Sequence, residues 1–196
     1  VAGGGTNTAS GLNALAGGGL SNLASEVYSV VTGGHSNEAG GNSSSIGGGE
    51  NNIASGTLSV ISGGTSNTAS GQHATVGGGI RNTASGNQST IAGGFFNIAN
   101  NHQGTIGGGQ QNTVSQQYAT VGGGAFNTAT DWYSTIGGGG GGSATEGNSA
   151  GAPYAVVSGG RSNDATGNTA TVGGGFNNIA SGLLAVIAGG SSNTAS

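Results

Sequence analysis

A branched aliphatic residue returns once every fifteen positions along this chain. Val31, Ile46, Ile61, Val76, Ile91, Ile106 and Val121 mark the column, and units begin at residues 1, 16, 31, 46, 61, 76, 91, 106, 121, 136, 157, 172 and 187. The interval is 15 residues except in the unit 136-156, which has 21 and so carries a six-residue insertion. The third and fourth positions are Gly in all thirteen units (Gly78 and Gly79 in one of them), and the seventh is Asn in twelve (Asn82). The ninth is Ala in all but one (Ala84), and the eleventh is Gly in seven (Gly86). A structureless linker has no reason to hold one aliphatic in phase through thirteen turns, so residues 1-196 read as a single repeat array.

Fifteen residues are too few for the helix pairs of the common α-repeats, and β-branched residues set among glycines favour strands. Side chains alternate faces along a strand. Ala74 and Val76 then point one way and Thr75 the other, while Asn82 and Ala84 share a face that Thr83 and Ser85 do not. The fold class that follows is all-β: a parallel β-solenoid, or β-roll, with 15-residue coils and two short strands per coil. Successive coils stack about 4.8 Å apart, each column becoming a ladder of like side chains. The Gly pair is expected to turn one corner and position eleven the other, Gly being suited to positive φ. Glu26, Asn101, Gln116, Asp131 and Glu146 are expected to fill that second corner where Gly does not.

Composition narrows the function. Gly supplies 48 of 196 residues, whereas only two Arg and six acids carry charge, for a net charge of −4. General acids, bases and anion binders are too sparse for a conventional active site, so no enzyme and no cofactor is expected. A polysaccharide lyase or hydrolase on a β-helix would need a larger core and clustered acids. Two cations make no nucleic-acid footprint, and no apolar run is long enough for a membrane span. Cys is absent, which removes disulfides and thiolate metal sites. His35, His73 and His102 fall at different repeat positions, the acids are scattered, and no metal site is expected. The Gly runs lack the Lys and helix of a phosphate-binding loop. The inward set of each coil is one Val or Ile, one Ala, one small residue and the Asn. This is a thin core, and it points to association of chains through outward apolar positions: Leu23, Ile53, Ile98 and Ile179 at position eight, and Leu15, Val30, Val60, Val156 and Val186 at position fifteen.

The blocks Ser89 to Gly93 (Ser-Thr-Ile-Ala-Gly), Ala119 to Gly123 (Ala-Thr-Val-Gly-Gly) and Ala170 to Gly174 (Ala-Thr-Val-Gly-Gly) resemble the head repeats of YadA-like trimeric autotransporter adhesins. They are also similar to β-rolls of phage tail fibres. The unit here is slightly longer than in the adhesin heads, and the array is expected to be a segment of something longer. The resemblance implies a left-handed, trimeric β-roll at a cell surface or in a tail fibre. It implies a structural and adhesive fibre module whose partners are copies of itself and a host surface, matrix protein or glycan.

Aromatics are the candidate binding residues. Tyr118, Tyr133 and Tyr154 share position thirteen of successive coils with Trp132 beside them, and Phe95, Phe96, Phe126 and Phe176 follow the Gly pair. They are expected either to form a stacking platform for sugar rings and an adhesive strip, or to fill gaps between chains. The stretch from Gly137 to Ala152 is expected to loop out. An alternative function is an ice-binding solenoid: Thr8, Thr68, Thr83 and Thr194 each open a Thr-Ala-Ser block that would place Thr and Ser outward in two ranks, with Glu38 and Asp164 interrupting them.

Overall fold

The computed structural model describes residue 1 and residues 3–196 and divides them into two units, Val1–Phe96 and Asn97–Ser196. Each is a parallel β-solenoid with two-residue strands, two to a coil and about fifteen residues to a turn. In the first unit the strands holding the ninth-position Ala, such as Thr68–Ala69 and Thr83–Ala84, pair in parallel, with Ala84 opposite Ala69. We call this the Ala sheet. The strands ending in the first-position aliphatic, such as Thr75–Val76 and Thr90–Ile91, form the Val/Ile sheet, with Val76 opposite Ile91. The second unit repeats the arrangement, with Ile106 opposite Val121 and Val114 opposite Ala129.

The inward set is the one that alternation predicts. Val76, Ile91 and Ile106 are fully buried, as are Ala84, Asn82 and the small fourteenth-position residues Ala74 and Ser89. A coil with so little hydrocarbon needs its polar backbone satisfied, and the Asn column does this. Asn52 Nδ2 donates to the Gly48 carbonyl (3.1 Å), to the Gly64 carbonyl of the next coil (2.8 Å) and to Oδ1 of Asn37 in the coil before (3.0 Å). Its own Oδ1 accepts from the backbone N–H of Asn67 (3.0 Å). One buried amide thus ties its own corner to both neighbouring coils, where an unpaired buried group would cost about 1–3 kcal/mol.

The Gly pair turns its corner with positive φ as expected, but left-handed backbone is not confined to Gly, and the second corner differs from the expectation. Positive φ recurs at the fourth-position Gly (Gly79, +87°), position six (Arg81, +56°) and position thirteen (His73, +57°), and in four coils also at the third-position Gly (Gly78, +147°). Positions six and thirteen seldom hold residues that tolerate a left-handed conformation, and such backbone costs L residues about 1–2 kcal/mol. The compensation is directional. Most N–H groups bond forward, as Thr75 N–H does to Ser89 O, but the left-handed residues turn theirs back: Arg81 N–H donates to Thr65 O and His73 N–H to Thr57 O, both at 2.9 Å. Position eleven has no positive φ. Gly is favoured there because a Cβ on Gly56 would run into the Gly71 carbonyl oxygen of the next coil. With Gly at that place the N–H reaches forward, as Gly56 to Ala69 O at 3.2 Å; with Glu26 or Asp131 it turns instead to the hydroxyl of Ser29 (3.2 Å) or Ser134 (3.4 Å).

The insertion is shorter than expected. Gly137 N–H still bonds Val157 O and Gly140 N–H bonds Gly160 O, so the ladder continues through four of the six glycines. Residues 141–145 leave it, with a single helical turn at Ala144–Glu146 whose last carbonyl, Glu146 O, already accepts the reversed ladder bond of Ser162 N–H (3.1 Å). The coil resumes at Asn148, which takes the seventh-position role: its N–H meets Asn127 Oδ1 and its Nδ2 the Gly138 and Gly160 carbonyls, each at 3.0 Å. The second corner of that coil therefore falls at Ala152, and Glu146 stands at the end of the loop, where the ladder resumes. Glu146 pins it, its Oε2 accepting from Gly142 N–H (2.7 Å) and its Oε1 pairing with Arg161 (3.1 Å).

Candidate functional site

Position thirteen is where chain chemistry meets solvent. The left-handed backbone there aims each side chain off the edge of the coil, and in three consecutive coils of the second unit that side chain is Tyr. Tyr118 and Tyr133 lie with centroids 4.8 Å apart and planes 4° from parallel; Tyr133 and Tyr154 follow at 5.1 Å and 1°. His102 meets Tyr118 edge-on at 6.0 Å. Trp132 stands beside the stack, 55% exposed, its indole Nε1 donating to Gln116 Oε1 at 3.1 Å and its backbone N–H to Asp131 Oδ1 at 2.7 Å. The interval between rings is close to the interval between coils, so the fold sets the stack and the side chains have only to occupy it.

This geometry alters the expected use of the tyrosines. The rings are spent on one another, and the faces of Tyr133 are covered on both sides. A sugar ring has Trp132 to stack on, and the outer face of Tyr154, where the next coil carries Thr169. What the stack offers outward is an edge with hydroxyls in a row. The result is a rigid strip, apolar along its length and hydrogen-bonding at its rim.

The phenylalanines do not join it. They lie at the other corner, near positions five and six. In the first unit Phe95 and Phe96 pack edge to face at 4.8 Å, and the Arg81 guanidinium sits 5.2 Å from the Phe96 centroid. In the second unit Arg161 covers Phe176 at 4.6 Å, while Phe126 is half-buried at the root of the insertion. The same corner pairs His35 with Glu50 at 3.5 Å. The Arg–Phe and His–Glu pairs link adjacent coils; among the described residues no three His, Cys, Asp or Glu side chains gather as metal ligands would. Periodicity places every one of these residues at a corner but says nothing of the Glu146–Arg161 clamp, which depends on how a non-repeating loop folds.

The outward Thr and Ser of the Ala sheet lie where alternation puts them, on the solvent side, with Glu38 and Asp164 in the same column. Partial burial between Ser149 and Ile179 raises the Asp164 carboxyl above its ordinary range. The native state therefore holds that proton to higher pH than the unfolded chain does. This contribution to stability is intact at low pH and is lost as pH rises through the ordinary carboxylate range to the raised value. Asp164→Asn is expected to stabilise the fold at pH 7 and to make no difference at pH 3, in urea titrations at both. The gain is under about 1 kcal/mol, because the carboxylate keeps contact with solvent.

No family model and no curated protein matches the chain.

Proposed function

We propose that the chain is a structural and adhesive module of an extracellular fibre, at a bacterial surface or in a phage tail. In this reading it works as an oligomer, and its exposed corners attach to a host surface, matrix protein or glycan. The resemblance to trimeric autotransporter heads supports a left-handed trimer. The observation that carries the reading is the division of labour within each coil: fixed positions are buried or shape the backbone, while aromatic side chains are held in register at the rim. The aligned stack of Tyr118, Tyr133 and Tyr154 beside Trp132 is the clearest instance. An exposed aromatic strip on a scaffold this regular is what a binding edge requires. No reaction and no cofactor belongs to this function.

Beads coated with the protein test it on collagen films and on glycan arrays. Wild type is expected to be retained on at least one of them, and Trp132→Ala with Tyr133→Ala to lower retention at least tenfold. Equal retention of the double variant, or no retention of the wild type on any surface, overturns the reading.

A further inference from the structure

Two sheet faces and two corners make up the surface of each unit, and charge is not shared evenly among them. All eight charged side chains and the three His lie at the corners, in the insertion or on the outer face of the Ala sheet. The outer face of the Val/Ile sheet has none. Its outward positions are fifteen and two of the repeat. Position fifteen is Leu, Val, Thr or Ser in every coil, including Thr75 and Thr90 in the first unit and Thr105, Thr120 and Thr135 in the second. Position two is Gly, Ala, Ser or Thr throughout the described coils. Neither column contains an amide or an aromatic, in a chain rich in Asn and carrying nine aromatics. The face is a ridge of mostly branched side chains beside a furrow of small ones, and within the sheet the ridge stays partly open to solvent, with Val60 at 38%.

We infer that this face is the one that packs against other copies of the chain in the oligomer. The inference rests on the reading of the protein as an associating fibre module and names the surface that associates. A branched ridge seats in a furrow of Gly and Ala, and sheets packed this way lie about 10 Å apart. A second copy is the occupant because its ridge and furrow share the repeat of the first by construction, so contacts stay in step from coil to coil. A partner with another repeat drifts out of register. Six strands about 4.8 Å apart and three residues wide present about 300 Å² of flat area per unit, so each unit seated on its counterpart covers about 600 Å² across the two copies. The Ala sheet cannot substitute. Its outer face carries Glu38 in the first unit and Asp164 in the second, and burying an unpaired carboxylate is costly.

Sedimentation velocity over a range of concentrations tests the assignment on the full chain. Thr120→Lys places a charge on the ridge; Thr128→Lys places the same charge on the Ala sheet. Wild type and T128K are expected to sediment as the same oligomer, and T120K to associate at least tenfold more weakly with an unchanged far-UV circular dichroism spectrum. If T120K fails to fold, a nitroxide on Thr120→Cys replaces it, the chain having no cysteine of its own. That label is expected to show interchain dipolar broadening, and one on Thr128→Cys to show none. Dissociation of T128K with T120K intact, or no effect of either, moves the interface elsewhere and overturns the assignment while leaving the fibre reading in place. A monomeric wild type at every concentration overturns both. A monomer whose thermal hysteresis disappears in T120K shows that the face meets ice instead, which also overturns the assignment.

Discussion

Gly64→Ala is expected to unfold the coils around it, whereas Gly63→Ala, one residue earlier, is expected to be harmless. Gly64 has φ +91°, and a Cβ there would overlap the Gly79 carbonyl oxygen and come within 2.7 Å of Asn67 Nδ2. Neither neighbour can withdraw. Gly79 O accepts the Thr65 N–H of the ladder at 2.9 Å, and Asn67 Nδ2 donates to Gly63 O and Gly79 O. A left-handed Ala costs about 1–2 kcal/mol before the overlap is counted, and overpacking a rigid site adds about 1–3 more, for a loss of about 2–5 kcal/mol. At Gly63 φ is not positive, and the nearest atom a Cβ would meet is Gly48 O at 4.0 Å. There, Ala loses less entropy on folding than Gly and gains about 0.4–1 kcal/mol. Each coil contacts only its neighbours, so the loss at Gly64 is local at first. Hydrogen exchange resolves it, with amides of the coils containing Gly64 and Gly79 exchanging faster in G64A and unchanged in G63A. Equal protection in the two variants contradicts the account.

That pair of glycines marks the boundary of what the sequence discloses. Both are invariant in the repeat, and invariance alone treats them alike. The aliphatic, Ala and Asn columns are legible because burial on one side of a strand leaves a period that any alignment recovers. Corner geometry leaves no such trace. Arg81, Phe96 and Tyr133 adopt the left-handed backbone that composition would assign to Gly, because a reversed hydrogen bond to the preceding coil offsets the strain. The eleventh-position Gly, by contrast, was expected to supply a positive φ and answers instead to the nearness of the next coil. The insertion misleads alignment for a related reason. Counting along the chain puts Glu146 at a corner, but the buried columns resume only where an Asn can reach both adjacent glycine carbonyls, and that residue is Asn148. For the aromatic corner, position in the repeat is enough to predict that Tyr118, Tyr133 and Tyr154 line up. It does not predict that they face one another and leave Trp132 and the outer face of Tyr154 as the open ring surfaces.

The Asn column permits a sharper experiment, because Leu and Asp at the same site fail for different reasons. Asn52 is fully buried and engages both its Oδ1 and its Nδ2. Asn52→Leu removes the acceptor of Asn67 N–H together with the donor to Gly48 O and to Asn37 Oδ1, and it forces a branched side chain against the corner. With about 1–3 kcal/mol for each buried group left unsatisfied, the expected loss is about 4 kcal/mol or more, the same at every pH. Asn52→Asp preserves shape and the acceptor. As a carboxylate, however, it sets charge against Gly48 O, Gly64 O and Asn37 Oδ1, three oxygens that the native amide satisfies by donating. Protonation restores one donor. Burial and those oxygens both raise the native-state pKa of the new carboxyl, so the native state binds a proton that the unfolded chain has released. Stability of N52D is then highest below the ordinary carboxylate range and falls as pH rises through it, while the deficit of N52L stays level. Urea denaturation at pH 3 and pH 7 separates the two. A level deficit for N52D would mean that the column acts by shape alone. A deficit that widens from pH 3 to pH 7 identifies donation by Nδ2, from one buried amide to the oxygens of three successive coils, as what keeps so thin a core in register.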